Sequence, residues 1–270
     1  MKRFAKILAI LAALVATAGG VGMYSGWYDV SATDEHLRPT YRMLDIAMRR
    51  SVRVRGADIP VPSLTDPAMA QRGLAIYRQN CVTCHGAPGV APEPFALGMA
   101  PTPANLAHTA REWAAADLFW VVKHGLKMTG MPAWEFRLSD EELWATVAFL
   151  QRMPQISPQE YAALQAPSPL PRVDEAAPPD ADRGKRAIHQ YACLTCHAIP
   201  GLVGANAPVG PPLAGIGSRT IIAGVLPNNP DNMARWLRAP RQVNPQSAMP
   251  DLGVSERDAR DIVAYLATLK

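Results

Sequence analysis

The chain is expected to be all-α: an N-terminal membrane-anchoring helix followed by two small helical units in tandem. Three observations lead to that reading. One arrangement of segments occurs twice, over residues 64–153 and 182–270, and each copy runs from an amphipathic helix pattern to a closing helix. Neither copy contains the alternating β-branched runs of a half-buried strand. The first 24 residues hold one long uncharged apolar stretch. At 270 residues, 49% hydrophobic and with 26 prolines, the chain suits two small domains and connecting segments.

The first element is read from "MKRFAK", which is basic, and the uncharged run from Ile7 to Tyr24. That run makes roughly 27 Å of helix, enough to span a bilayer. Trp27 and Tyr28 suit an interfacial aromatic belt. The rival is a cleaved signal peptide, for which Ala16-Thr17-Ala18 is a fitting site. The anchor is preferred because the apolar run continues past that site. Segment 1–24 is therefore taken as the anchor and 25–63 as a juxtamembrane segment. There Leu37, Tyr41, Leu44 and Met48 recur at helical spacing among six arginines, an amphipathic helix lying beside the membrane or on the first unit. Those arginines outnumber Lys2, Arg3 and Lys6, which on charge alone would favour a cytoplasmic placement.

Each repeated unit opens on a helix, "AMAQRGLAIYRQN" or "ADRGKRAIHQY", and closes on another, "SDEELWATVAFLQRM" or "SERDARDIVAYLATLK". Both closing helices begin with Ser and have an acid three residues on, the signature of a capping box. Between the units, 154–181 is Pro- and Ala-rich and reads as a semi-extended linker, or as a strap packed along the domain boundary.

The chemistry sits in "NCVTCHGAPG" and "YACLTCHAIP". Cys81, Cys84, Cys193 and Cys196 are all the cysteines of the chain, so no disulfide framework is left over. A four-thiolate zinc site or a redox dithiol could use such pairs. Neither requires the histidine that follows each pair, and a thioredoxin-like βαβ context is missing. Cys-x-x-Cys-His is the pattern of c-type haem attachment. Thiols one helical turn apart reach the two haem vinyl groups, and the adjacent His85 or His197 faces the iron. Two covalently bound haems c are expected.

A second axial ligand is expected from methionine, whose soft thioether raises the potential. Met131 in "KMTGMPAW" and Met249 in "QSAMPDLG" share a Met-Pro step preceded by a small residue, each ahead of a closing helix. Proline stiffens such a loop. Met128 is the rival to Met131; His108 and His124 would instead give a bis-histidine centre. Met153 also precedes a proline, but it follows a closing helix and reads as core or helix end. Small units of this size bury little surface by chain alone, so the haem would form much of each core.

With both irons carrying two protein ligands, no coordination position is open to substrate. No nucleotide loop, Ser/His/Asp arrangement or carboxylate cluster is visible, and no nucleic-acid partner is expected. The reading is an electron carrier rather than an enzyme. Residues 182–270 carry ten Lys and Arg against six Asp and Glu, and residues 64–153 seven against eight. A basic second unit suits an acidic docking surface and so the exit of electrons, with the first unit as their point of arrival.

On these motifs both units resemble class I cytochrome c domains, over residues 64–270. In the second unit "VGPPLAGIGSR" resembles the loop that follows the haem motif in that family. The resemblance implies that the Pro211 carbonyl accepts a hydrogen bond from the His197 ring, and that Arg219 sits near a haem propionate. The first unit departs: "APTPANL" offers only Pro103 as a counterpart, with no clear arginine. The whole chain, with "YSGWYDVSATDEH" and "VVKHGLKMTGMPAW", resembles the membrane-anchored dihaem cytochromes c that accompany bacterial haem–copper terminal oxidases. This implies a single-pass protein of the inner membrane, with haem domains in the periplasm that relay single electrons to a terminal oxidase. Haem attachment in bacteria takes place on the outer side of that membrane, which outweighs the arginine count. Other partners are a quinoprotein or flavin dehydrogenase. A dihaem peroxidase with one open haem is a third reading.

Overall fold

The computed structural model describes residues 2–164, 177–203 and 209–270. Helix α1 spans Lys2–Tyr24 and buries none of its residues. By length and composition it can cross a membrane, a test that a signal segment also meets. Helix α2 spans Arg38–Gly56. Its C-terminal half packs on the first unit through Val52 and Gly56. Leu37, Tyr41 and Leu44 of the expected apolar stripe stay exposed, because the stripe extends beyond the body that it packs against.

In the first unit α3 (Pro67–Asn80) is capped by Asp66, which accepts from the Ala68 amide at 2.9 Å. Short turns α4 (Val82–His85), α5 (Pro94–Leu97) and α6 (Leu106–Thr109) carry the chain to α7 (Ala115–His124), on which α2 lies. The closing helix α8 (Asp140–Arg152) packs across α3. Gly73 marks the crossing: a Cβ there would strike the Ala145 carbonyl and come within 2.9 Å of Phe149 Cβ. Around it Leu74, Tyr77, Leu143, Val147, Leu150 and Met153 are almost wholly buried. Fully burying an aliphatic side chain is worth about 1.5–3 kcal/mol, so this stack is the main stabilising mass of the unit.

The second unit repeats the plan. Helix α9 (Pro158–Ala163) precedes it, and α10 (Ala181–Gln190) crosses the closing helix α13 (Glu256–Leu266). Gly184 occupies the crossing, where a Cβ would strike the Asp261 carbonyl. Helices α11 (Pro230–Arg238) and α12 (Pro240–Val243) lie between them in sequence. Ile188, Tyr191, Leu237, Ile262 and Leu266 fill this core.

Three features differ from the sequence reading. The start of the supposed linker is folded: Ser157 and Glu160 form a complete capping box, Tyr161 is buried, and the Arg78 guanidinium donates to the Tyr161 and Leu164 carbonyls at 2.9 Å each. The rest of the linker includes 165–176, outside the described residues. The second closing helix has half a capping box. Ser255 accepts from the Asp258 amide, but the Asp258 carboxylate is taken by the Tyr191 hydroxyl at 2.7 Å. Last, the all-α plan is interrupted by a minimal antiparallel hairpin of β1 (Ile221–Ile222) and β2 (Leu226–Pro227). The loop between them is three residues long. The Val225 amide donates to the Ile222 carbonyl at 3.1 Å, and Ala223 and Gly224, the central residues of that turn, both have positive φ. Strands of two residues are too short to show any alternation.

Candidate functional site

Both Cys-x-x-Cys-His stretches fold into the same turn. In the first unit the His85 amide donates to the Cys81 carbonyl at 2.9 Å, and the Cys84 amide to the same carbonyl at 3.2 Å. In the second the His197 and Cys196 amides donate to the Cys193 carbonyl at the same two distances. The two cysteines of each motif, three residues apart, therefore project from one tight turn. The entries into the turn differ. Helix α3 runs directly into Cys81, whereas α10 is broken by Ala192 in the left-handed region, φ 54°.

Each histidine ring is held from behind. His85 Nδ1 lies 2.7 Å from the Ala104 carbonyl, and His197 Nδ1 lies 2.8 Å from the Pro211 carbonyl. A carbonyl can only accept, so Nδ1 carries the proton in both and Nε2 keeps its lone pair for a metal. Burial holds the His85 imidazole below its ordinary pKa, against the raising effect of the Ala104 bond, which favours the neutral ligating form. In the first unit the acceptor is the residue after Pro103, the position that sequence had offered. The ring of His197 packs flat against Gly210, where a Cβ would come within 2.5 Å of the imidazole Cε1. The sequence reading did not single out Gly210; its signal is a glycine directly before Pro211-Pro212.

The second unit brings its expected residues together. A cavity of about 440 Å³ is lined by Cys193, Cys196, His197, Pro211, Arg219 and Met249, with Ile, Leu and Val side chains completing its walls. That volume lies within the range of about 300–1,000 Å³ usual for cofactor sites. Arg219 also donates to the Pro212 and Ala214 carbonyls, at 2.6 and 3.1 Å, so its guanidinium braces the loop behind His197. Met249 is preceded by Ser247, whose hydroxyl accepts from the Met249 amide at 3.1 Å.

The first unit has the same local device. The Thr129 hydroxyl accepts from the Met131 amide at 3.2 Å, and the Met131 carbonyl accepts from Leu126 at 3.2 Å. Met131 is half-buried. Met128, its rival, is 97% exposed and sits at φ 61°, so its thioether points to solvent. A hydroxyl two residues before each Met-Pro step is the sequence signal that "TGMP" and "SAMP" shared and that was not read. His124 is turned to Glu135, 3.9 Å away, and His108 stands at the end of α6.

Burial pushes the Cys81 thiol up to about 12 and the Cys193 thiol up to about 11, so these two are uncharged at neutral pH. Zinc ligation and dithiol chemistry both use thiolates, which an apolar setting disfavours. Cys81 and Cys193 also pack on separate cores, and among the described residues no three His, Cys, Asp or Glu side chains converge as a metal site. A haem fits this donor set: the thiols could form thioethers, the imidazole Nε2 and the Met sulfur could serve as iron ligands, and in the second unit the apolar cavity would have room for the macrocycle.

Comparison with known proteins agrees with the repeat. The family described as cytochrome c oxidase, cbb3-type, subunit III matches residues 68–150, and the family described as cytochrome c matches residues 181–270. The chain is 36% identical over 101 residues to cytochrome c oxidase subunit 2 of Alkalihalophilus pseudofirmus, covering 36% of this chain and 28% of that protein. It is 35% identical over 88 residues to the subunit of the same name from Bacillus sp. (strain PS3), covering 31% and 25%. The subunit from Bacillus subtilis gives 36% over 96 residues, covering 33% and 26%. The chain thus spans about a quarter of the length of these curated relatives.

Proposed function

We propose that the chain, whose residues 68–150 and 181–270 are two tandem cytochrome c domains, is a dihaem relay that hands single electrons to a terminal oxidase from the periplasmic face of the inner membrane. The observation that carries this reading is the second-unit cavity. It gathers Cys193, Cys196, His197 and Met249 around one apolar space, with Pro211 and Arg219 behind the histidine. Haem c supplies a metal that changes oxidation state by one electron.

The chain does the rest. Cys81 with Cys84, and Cys193 with Cys196, would tether one haem each. His85 and Met131 would ligate the first centre, His197 and Met249 the second. The Ala104 and Pro211 carbonyls fix the imidazoles, so neither ring must reorient when charge changes. Thr129 and Ser247 hold the methionine loops in the same way. With two protein ligands on each centre the chain carries electrons and offers no position for substrate. Helix α1 acts as the single membrane anchor.

The family matched by residues 68–150 and the names of the curated relatives favour an oxidase as the partner over a dehydrogenase. Denaturation in acid organic solvent tests the cofactor. Haem should stay with the polypeptide at two per chain; haem that extracts away overturns the assignment. Co-purification from membranes tests the partner. Recovery with a dehydrogenase in place of an oxidase would reverse it, and reactivity of the resting protein with peroxide would favour the peroxidase reading.

A further inference from the structure

Beyond the two sites themselves, the described structure has one place where the units touch through specific side chains. It is the turn that follows Met131. The Trp134 and Glu135 amides both donate to the Lys123 carbonyl at 3.1 Å, and the Arg137 and Leu138 amides donate back to the Trp134 carbonyl at 2.9 Å. The turn is thereby fixed to α7 of the first unit, three residues beyond Met131. Its outer side chains reach the second unit. Glu135 Oε1 lies 3.7 Å from Arg186 Nε on α10, and the Arg186 guanidinium lies 5.9 Å from the Phe136 ring. The Arg137 guanidinium stands 5.3 Å over the Tyr191 ring.

Tyr191 is itself held within the second unit. It is buried, its hydroxyl donates to Asp258 at 2.7 Å, and it precedes Cys193 by two residues. Among the described residues, each ion pair and each cation–ring contact between the units falls on Glu135, Phe136 or Arg137. Units joined only by a chain would be expected to move relative to each other. Here the methionine loop of one site is clamped to the haem-motif helix of the other.

We propose that the Trp134–Leu138 turn is the coupling element of the molecule. It fixes the spacing and orientation of the two redox sites, with the Arg137–Tyr191 contact as the point where their surroundings meet. The inference rests on the relay reading. An electron that passes between the units oxidises the site that it leaves and reduces the site that it reaches, with no bond made or broken. Electronic overlap decays steeply with distance, so spacing is what the chain can control. Glu135, Phe136, Arg137, Arg186 and Tyr191 are positioning residues in this scheme.

The test uses the full-length dihaem protein with gadolinium labels at Gln71→Cys on α3 and Gln242→Cys on α12, both exposed positions. The wild-type background should give one narrow inter-label distance. Glu135→Arg alone and Arg186→Glu alone should broaden it, and the pair combined should restore it, since the exchange rebuilds the ion pair. Arg137→Gln serves as a further break in case one charge reversal fails to fold. In the broadened variants the ratio of docked to open molecules should fall about tenfold, equivalent to about 1.4 kcal/mol. Electron equilibration between the centres should slow with it, while the absorption spectrum of each centre stays unchanged. Unchanged distance and rate in all single variants, or no rescue by the exchange, overturns the coupling role. Absence of covalent haem in the wild type would instead overturn the relay reading.

Discussion

The two haem-motif units share their crossing and their turn but support them differently. In the first, the Tyr77 hydroxyl donates to the Gly86 carbonyl at 2.6 Å, tying α3 to the chain just past His85. In the second, Tyr191 ties the motif to Asp258 on the closing helix. The first crossing is apolar, with Gly73 against Ala145 and Phe149. The second is charged: Asp261, 1% exposed, receives Arg183 through two bonds of 2.7 and 2.8 Å and the Asp180 amide at 2.7 Å. What both retain is a glycine at the crossing, the cysteine–histidine turn, a carbonyl behind the histidine and a hydroxyl before the methionine. These parts are common to the two units, and the bracing around them differs.

The comparison can be broken most strongly at the glycines. Gly73→Val and Gly184→Val should each cost more than about 4 kcal/mol, because backbone of the closing helix would have to move. Chemical denaturation should show Gly73→Val damaging the first unit about as much as Gly184→Val damages the second. Tolerance at either position would mean that the crossings are not equivalent.

The charged crossing predicts an asymmetry. Arg183→Ala strands a buried carboxylate and should cost about 3–5 kcal/mol. Arg72 holds the matching place before Gly73 but is exposed and has no ion pair among the described residues. Arg72→Ala should stay within about 0.5 kcal/mol. Equal losses in denaturant midpoint would remove the distinction.

Methionine substitutions sharpen the site comparison. Met131→Ala and Met249→Ala should each lower the potential of one centre, remove its weak near-infrared band and open it to small ligands. Met128→Ala should leave both spectra unchanged. A normal spectrum in Met131→Ala with an altered one in Met128→Ala would exchange the assignments.

The smallest expected effect concerns direction. Met233, Trp236 and Leu237 of α11 line the second cavity, and Arg235 and Arg238 are exposed on the same helix. Arg238 is engaged by Glu256 at 3.4 Å. If the second unit docks on an acidic surface, Arg235→Glu with Arg238→Glu should slow oxidase reduction at low salt, and added salt should slow the wild type. A rate that responds only to charges in residues 64–153 would reverse the direction.

The sequence by itself determined what is periodic and local. Two Cys-x-x-Cys-His motifs named the cofactor, helical patterns of opening and closing segments named the fold class, and the Met-Pro steps pointed to Met131 and Met249. The uncharged run named a span without deciding anchor from signal. These signals live within a few residues, where spacing alone sets geometry. Tertiary structure decided the rest. It placed the exposed Met128 apart from Met131, moved the His85 acceptor from Pro103 to Ala104, and folded Tyr161 and the start of the linker onto the first unit. It also brought Arg183 to Asp261, 78 residues away, and Arg137 to Tyr191, 54 residues away. Such pairings depend on how helices cross, and a charge or ring carries no mark in sequence of the distant partner that it will meet.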